Sequence, residues 1–473
     1  MNTLHFALPG IPVPILFFSA QRPSSPAPPP VSLQRFVSKI QSISPCPDNM
    51  SCKNIDPPPV SSLAAMPSEI KAAIFSYLDL ADLLSMAELG GLYRDEALFA
   101  LRGIKKETRE RQIFAHIRCG DKRIVPFCQA TASHSATLDN QTMALNIATL
   151  NEKKHGRTLL MEAIWFNHSA IVKQLLALPG IDVNAADWNN FSVLHFAALM
   201  DNEAISAQLL AQPGINIHAG NNLGSTALHC AAAFGHVSMM KLLLARQEID
   251  ANAPDNLGAT ALHYGALALG HEHFVESILD NKIAVIGQLL NTTGIDVNHC
   301  DNDGRTPLHF AVSEGLGPIV QRLLAAPGIN ANVVDNLGWT ALLSALALSH
   351  TDIAVCLIEL PEIDINIAQA EGWTALHYAA TRGDTLLVDR LLRKPDIEIN
   401  VRRDDGWTPL HCAVFNGHAQ TVKRLLDEPA TDIEGFDYGC NALFYAKIQR
   451  NGAIIELLKQ AVKRKVRAGA ARL

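Results

Sequence analysis

The sequence contains no Cys-x-x-Cys pair, although nine cysteines are scattered from Cys46 to Cys440. An odd number without regular spacing excludes a paired-cysteine zinc finger and a disulfide framework, and it is the usage of an intracellular chain. There is no phosphate-cradling Gly-x-x-x-x-Gly-Lys-Ser/Thr, no nucleophile elbow, no kinase set and no His-Glu-x-x-His, so catalysis has no visible seat and no cofactor is implied. Charge of one sign is also scarce. A formal net charge of -7 on 473 residues argues against a protein that coats nucleic acid. The apolar stretch from Leu4 to Ala20 is interrupted by Pro9, Gly10, Pro12 and Pro14, no Lys or Arg precedes it, and Phe18 stands where cleavage after Ala20 needs a small residue. Neither secretion nor a membrane anchor is expected from it. Aromatic residues make up 6% of the chain and only five are tryptophan, so the position of each carries information.

What is present is a beat. Thr158, Ser192, Thr226, Thr260, Thr306, Thr340, Thr374, Thr408 and Asn441 follow one another at steps of 34, except for one step of 46 and a last of 33. A leucine pair keeps the same spacing, beginning at Leu175, Leu209, Leu243, Leu289, Leu323, Leu357, Leu391 and Leu425. An Ile-Asp-Val-Asn type tetrad does too, ending at Asn184, Asn252, Asn298, Asn332, Asn366 and Asn400, with His218 replacing asparagine once. A fixed period of this size is the mark of a stacked repeat array.

Each unit can be built from its residues. Threonine accepts from the orphan amides of a first helical turn, and proline just after it, as at Pro307 and Pro409, has no amide to leave unsatisfied. Asn167, Gly235, Gly315, Gly383 or Gly417 then ends that helix nine residues on. A second apolar helix follows, as in Ile171 to Leu176, and the tetrad with its Asp-Asn-x-Gly sequel supplies an extended arm and a tight turn. The expectation is an all-α fold of helix-turn-helix-hairpin units.

These residues resemble the ankyrin repeat, whose helix opens with Thr-Pro-Leu-His, as in Thr306 to His309 and Thr408 to His411. The resemblance implies an ankyrin-type α-solenoid of nine units over residues 151–462, with atypical units at both ends. The 46-residue step places an insertion near 269–280, containing His271-Glu272-His273; it reads as an extended first helix or surface loop, or as a partner-contact element. Upstream, 105–150 is a linker in which Gly120, Ile124, Val125 and Phe127 suggest an irregular cap or degenerate repeat. Residues 1–62 are a Pro/Ser-rich lead that reads as disordered. The basic run Lys463 to Arg467 opens a 463–473 tail, either a nuclear-import signal or a charged helix end that suits the helix dipole.

Between lead and array, Met66-Pro67-Ser68-Glu69-Ile70, Ile74, Tyr77-Leu78, Asp82-Leu83 and Leu89 describe a small helical pair over 63–104. Their spacing resembles an F-box. That resemblance implies a Skp-type adaptor of a cullin-RING ubiquitin ligase as partner, with Pro67, Ile70, Ile74, Leu78, Leu83 and Leu89 at the apolar interface or in the segment's own packing. A helical pair that only caps the array is the alternative. With the F-box, the chain would be a non-enzymatic substrate receptor; without it, an ankyrin scaffold or anchor. Both place it in the cytoplasm or nucleus.

In ankyrin-like units the residues just before the threonine and seven or eight after it project to the concave side. Trp339, Trp373 and Trp407 stand one before it, Trp188 four before, and Trp165 seven after. Phe191, Arg305, Arg382 and Phe415 share such positions. Aromatics and arginine at projecting positions point to a protein target, or to rings that brace each hairpin against its neighbour. The histidines at His195, His229, His263, His309, His377 and His411 recur once per unit, which makes them structural hydrogen-bonders and not a converging metal site.

Overall fold

The computed structural model describes residues 115, 117–120, 156–268, 276–435 and 441–470. The lead, the F-box-like segment and most of the linker lie outside them, as do Ile124, Val125 and Phe127. The chain divides into two compact units, Met1–Asn222 and Leu223–Leu473. The described residues form eighteen helices and no strand, so the fold is all-α.

In the first unit the helices are α1 (Leu159–Trp165), α2 (Ser169–Leu176), α3 (Val193–Met200) and α4 (Glu203–Leu210). The second unit begins with α5 (Ala227–Phe234), α6 (Val237–Leu244), α7 (Ala261–Gly265), α8 (Glu276–Leu290), α9 (Pro307–Ser313) and α10 (Gly317–Leu324). It continues with α11 (Ala341–Leu348), α12 (Thr351–Ile358), α13 (Ala375–Arg382), α14 (Thr385–Leu392), α15 (Pro409–Phe415), α16 (Ala419–Leu426), α17 (Ala442–Ile448) and α18 (Gly452–Ala470).

Most of these helices are only two turns long, too short to persist alone in water. Burial holds them. The first leucine of each pair, from Leu175 to Leu425, is at most 1% exposed, and each such side chain contributes about 2 kcal/mol by leaving water. Every first helix starts where the beat predicts, with Thr158, Ser192, Thr226 and their counterparts in extended conformation as N-caps.

The tetrad asparagines turn out to be bridges. Asn366 Nδ2 donates to the Asp396 carbonyl at 2.7 Å, and its Oδ1 accepts from the Glu398 amide at 2.9 Å. Asn184 makes the same pair of bonds to Gly214 and Asn216 in the first unit; Asn252, Asn298, Asn332 and Asn400 repeat it in the second. One amide side chain thus replaces the pairing a strand would give, between segments 30 to 32 residues apart, or 42 to 44 for Asn252 across the insertion. Asn366→Ala is expected to lower stability by about 1–2 kcal/mol through two lost bonds. A urea titration checks this, and an unchanged midpoint would show that water replaces both bonds without loss.

The first helix beside the insertion is not lengthened, and residues 269–275 lie outside the described residues. α7 is shortened to five residues, while α8 has fifteen against the usual eight of a second helix. The extra turns precede the usual start, because Lys282, 22 residues past Thr260, takes the place held by His168, His350 and His418 ten past their own caps. In the other units that histidine ring lies against the glycine ending the preceding first helix, and Lys282 lies against Gly235. Its Nζ donates to the carbonyls of Tyr264 and Gly265 at 3.3 and 3.4 Å. It thereby satisfies the end of α7 and lets the helix stop early. Burial lowers the Lys282 pKa to about 8, partly opposed by Glu314.

The basic run lies at the end of the last helix, the second of its two expected readings. α18 has nineteen residues and continues to Ala470; Arg464 pairs with Asp427 at 3.6 Å, and Lys465 Nζ donates to the Thr431 carbonyl. At the other end, Gly120 has a φ of +74° and packs on His168, whose Nε2 bonds the Arg118 carbonyl at 3.1 Å, while Arg118 pairs with Glu162 at 3.0 Å. Gly120 thus closes a helical turn as the glycines of the later units do.

Candidate binding face

The residue that positions most of the first helices is a histidine three past the cap. In Thr374, the backbone N–H donates to His377 Nδ1 at 3.2 Å, and the hydroxyl lies 2.8 Å from the same nitrogen. His377 Nε2 then reaches the Trp407 carbonyl at 3.1 Å. His229, His263 and His309 bond in the same way to Ala259, Arg305 and Trp339. An amide donating to Nδ1 leaves the ring proton on Nε2, so each imidazole is neutral and both nitrogens are used. Burial is the main cause that lowers these pKa values, to about 4 for His263 and His377 and in the same direction for His229 and His309. These histidines are therefore structural. Among the described residues, no group of three or more His, Cys, Asp or Glu side chains is placed to hold a metal ion.

Because each histidine grips the carbonyl just before the next capping threonine, it fixes the residue at that position on the first-helix face. In the second unit the face changes character along the chain. Around Ser225 and Tyr264 it is polar and closed, with Tyr264 Oη donating to Asp255 at 2.6 Å and lying 3.2 Å from the Ser225 hydroxyl. Arg305 stacks on Phe310 at 4.9 Å, but pairs with Asp301 and Asp303 at 2.9 and 2.8 Å.

From Trp339 onward the face is aromatic. Trp339 and Trp373 both meet Tyr378, at 5.6 and 4.9 Å between ring centroids. The Arg403 guanidinium lies 4.0 Å from Trp373 and 5.4 Å from Trp407. Trp407 then contacts Phe415 at 5.0 Å and Tyr445 at 5.1 Å. Arg403 replaces the acid that most hairpins carry, such as Asp335, whose Oδ1 accepts the Leu337 and Trp339 amides; Asp405 Oδ1 accepts the Trp407 amide instead and holds Arg403 by an ion pair. The three tryptophans are half-buried, so they brace the hairpins and also present one side to solvent. Arg382 is exposed with Nη1 on the Leu346 carbonyl at 2.8 Å, and Phe415 is 44% exposed.

In the first unit, Arg157 stacks over Trp165 and Phe196 at 4.9 and 5.0 Å, and Phe191 lies 6.3 Å from Phe196. Trp188 stands apart from this cluster, 75% exposed, with its ring over Gly156. The expected residues thus fall into two groups, one in each unit. Tyr378, Arg403 and Tyr445 were not singled out from the sequence; the single arginine, Arg403, at a hairpin position held by Asp187, Asp255, Asp301 and Asp335 elsewhere was the available signal. The six F-box-like positions lie outside the described residues.

Helices in pairs, joined by hairpins that carry the tryptophans, define a helical-repeat protein of the protein-interaction class. The family description "Ankyrin repeats (3 copies)" matches residues 194–287, 314–403 and 376–467, "Ankyrin repeats (many copies)" matches 269–316, and "Ankyrin repeat" matches 155–188. The chain belongs to the ankyrin-repeat family. No curated protein matches it. Among the described residues no helix is long and apolar enough to cross a membrane.

Proposed function

We propose that this chain is a non-enzymatic substrate receptor, in which nine ankyrin repeats over 151–462 hold a target protein and the F-box-like segment 63–104 recruits a Skp-type adaptor of a cullin-RING ligase. The observation that supports target binding is the aromatic row from Trp339 to Tyr445, half-buried rings with an arginine stacked between them. Such rings offer large rigid area at small entropy cost. The adaptor half rests on the spacing of Pro67, Ile70, Ile74, Leu78, Leu83 and Leu89. A scaffold or anchor without a ligase link is the second reading, favoured if those helices only cap the array.

Two measurements separate the possibilities. Changing Trp339, Trp373 and Trp407 together to alanine is expected to lose at least tenfold of target capture while circular dichroism retains the helices; lost stability with the same captured partners defeats the contact role. Co-purification with a Skp-type adaptor, lost on Pro67→Ala with Ile70→Ala, supports the receptor. A folded chain that never binds the adaptor leaves the scaffold.

A further inference from the structure

We propose that the end of the array formed by α17 and α18 docks an acidic amphipathic helix of a partner protein. This surface lies outside the tryptophan row, so it adds a second contact to the one proposed above.

The shape of the occupant follows from the earlier units. At each junction first helix packs on first helix and second on second, as α15 does on α13 and α16 on α14. Among the described residues nothing covers the corresponding surface of α17 and α18. Leu443, Phe444 and Lys447 stand at the positions of Leu410, His411 and Val414, and Ile455 and Lys459 at those of Val422 and Leu426. The earlier five are all buried, whereas Phe444 is 45% exposed, both lysines are exposed, and Leu443 and Ile455 are half-buried. Phe444 takes the place of the histidine that reaches forward to the next hairpin, as His377 does to Trp407. It therefore faces where a neighbour would lie. Ile448, one turn on, is 59% exposed. A surface that receives helices at every other junction offers ridges and grooves that fit a helix.

A further unit of the same kind is excluded. Arg450 stands where the other described units carry glycine, or the short Asn167, Asp201 and Ser349, against the start of the next second helix. At Gly383 that place is filled by the His418 ring, and an arginine side chain occupies the same space. α18 also runs on to Ala470, where α16 stops after eight residues and gives way to the arm of the next hairpin.

Charge selects the chemistry. Lys447 and Lys459 replace buried apolar residues, Lys463 follows one turn after Lys459, and Arg450 ends α17. Among the described residues none of these four has an ion pair, while Arg464 and Lys465 turn back to Asp427 and Thr431 of the preceding unit. The acids of this end are Glu434, in place of the bridging asparagine, and Glu456, which accepts from Gln460 at 3.2 Å. Cations in excess around an exposed phenylalanine and isoleucine complement an apolar stripe flanked by carboxylates. An amphipathic helix presents both, with its stripe at i, i+3, i+4 and i+7.

The experiment is fluorescence anisotropy of the full chain with a labelled helical peptide of about four turns, carrying leucine along one stripe and glutamate beside it. Micromolar binding is expected, about tenfold weaker or worse when the same residues are scrambled so that the stripe is lost, or when lysine replaces glutamate. Lys447→Glu with Lys459→Glu should weaken it at least as much, and so should Phe444→Gln with Ile448→Gln. These side chains are exposed, so circular dichroism and the thermal midpoint should stay as in the native chain. Trp373→Ala should bind the probe normally; a loss there would assign the peptide to the tryptophan row and overturn this proposal while leaving target binding intact.

Equal binding of striped and scrambled peptides overturns it, because charge alone would then suffice. Tighter binding to phosphatidylserine vesicles than to the peptide, lost in the same lysine variant, would assign the surface to a membrane and also overturn it. A dimer in sedimentation that Phe444→Gln with Ile448→Gln dissolves would assign it to a second copy of the chain, with the same consequence.

Discussion

Lowering the pH from 6.5 towards 4 is expected to unfold the second unit cooperatively. His263 and His377 are buried and neutral in the folded chain, with pKa values near 4 against 6.5 for the ordinary imidazole. His229 and His309 are displaced in the same direction. Between these limits the unfolded chain binds more protons than the folded one, so stability falls as pH falls, and it is fully present only above about 6.5. A displacement of this size is worth about 3 kcal/mol for each of His263 and His377. Two such groups approach the whole stability of a typical domain, about 5–15 kcal/mol. Protonation at Nδ1 would also break the bond from the threonine amide and free the start of the helix. Far-UV circular dichroism against pH, with urea midpoints at pH 7 and 5.5, measures this. His377→Gln should make the pH dependence shallower while lowering stability at pH 7. A urea midpoint that does not move between pH 7 and 5.5 would show that the column is not what senses acid.

Gly383→Ala should be the most damaging of the single-methyl additions, at about 3 kcal/mol. Gly383 has a φ of +74°, which alone costs an L-residue about 1 kcal/mol. Its added Cβ would also overlap the His418 ring. That ring cannot step aside without losing the 2.9 Å bond from Nε2 to the Thr381 carbonyl, which leaves a half-buried carbonyl short of a partner. Gly328 provides the control. Its φ is +79°, and nothing lies within 4 Å of where its Cβ would stand, so Gly328→Ala should cost only about 1 kcal/mol. Thermal melts of the two variants decide the matter. Equal losses would mean that backbone conformation alone matters, and that the glycine-histidine contact between repeats carries no stability.

The repeat beat was enough to place every described first helix, because a threonine cap, a helix-ending glycine and a buried leucine are local requirements that recur in each unit. The histidine column was legible for the same reason: its spacing of one per unit prevents convergence on a metal. The asparagine tetrads were legible as a period but not as bridges. Whether Asn366 turns to solvent or spans to Asp396 depends on how closely the next unit packs, and no local pattern states that distance. The insertion was located by the count, but the sequence did not say that added turns would stand at the start of α8, where Lys282 reaches back to the carbonyls that end α7.

At the binding face the division is similar. Sequence position alone put Trp339, Trp373 and Trp407 in line, one residue before each cap, because the repeat fixes which residues share a face. It could not say whether those rings brace the hairpins or meet a partner, and packing shows that they do the first while leaving one side exposed. Nor could it bring in Arg403, Tyr378 and Tyr445, which join the row only because neighbouring repeats stack closely enough for one unit's side chains to fill the gaps between the next unit's rings. Composition and period thus determined the fold class, the interaction class and the register at which the tryptophans recur. Which bonds hold the units together, and which side chains meet between them, was decided by the tertiary structure, since both depend on distances between repeats that sequence spacing does not contain.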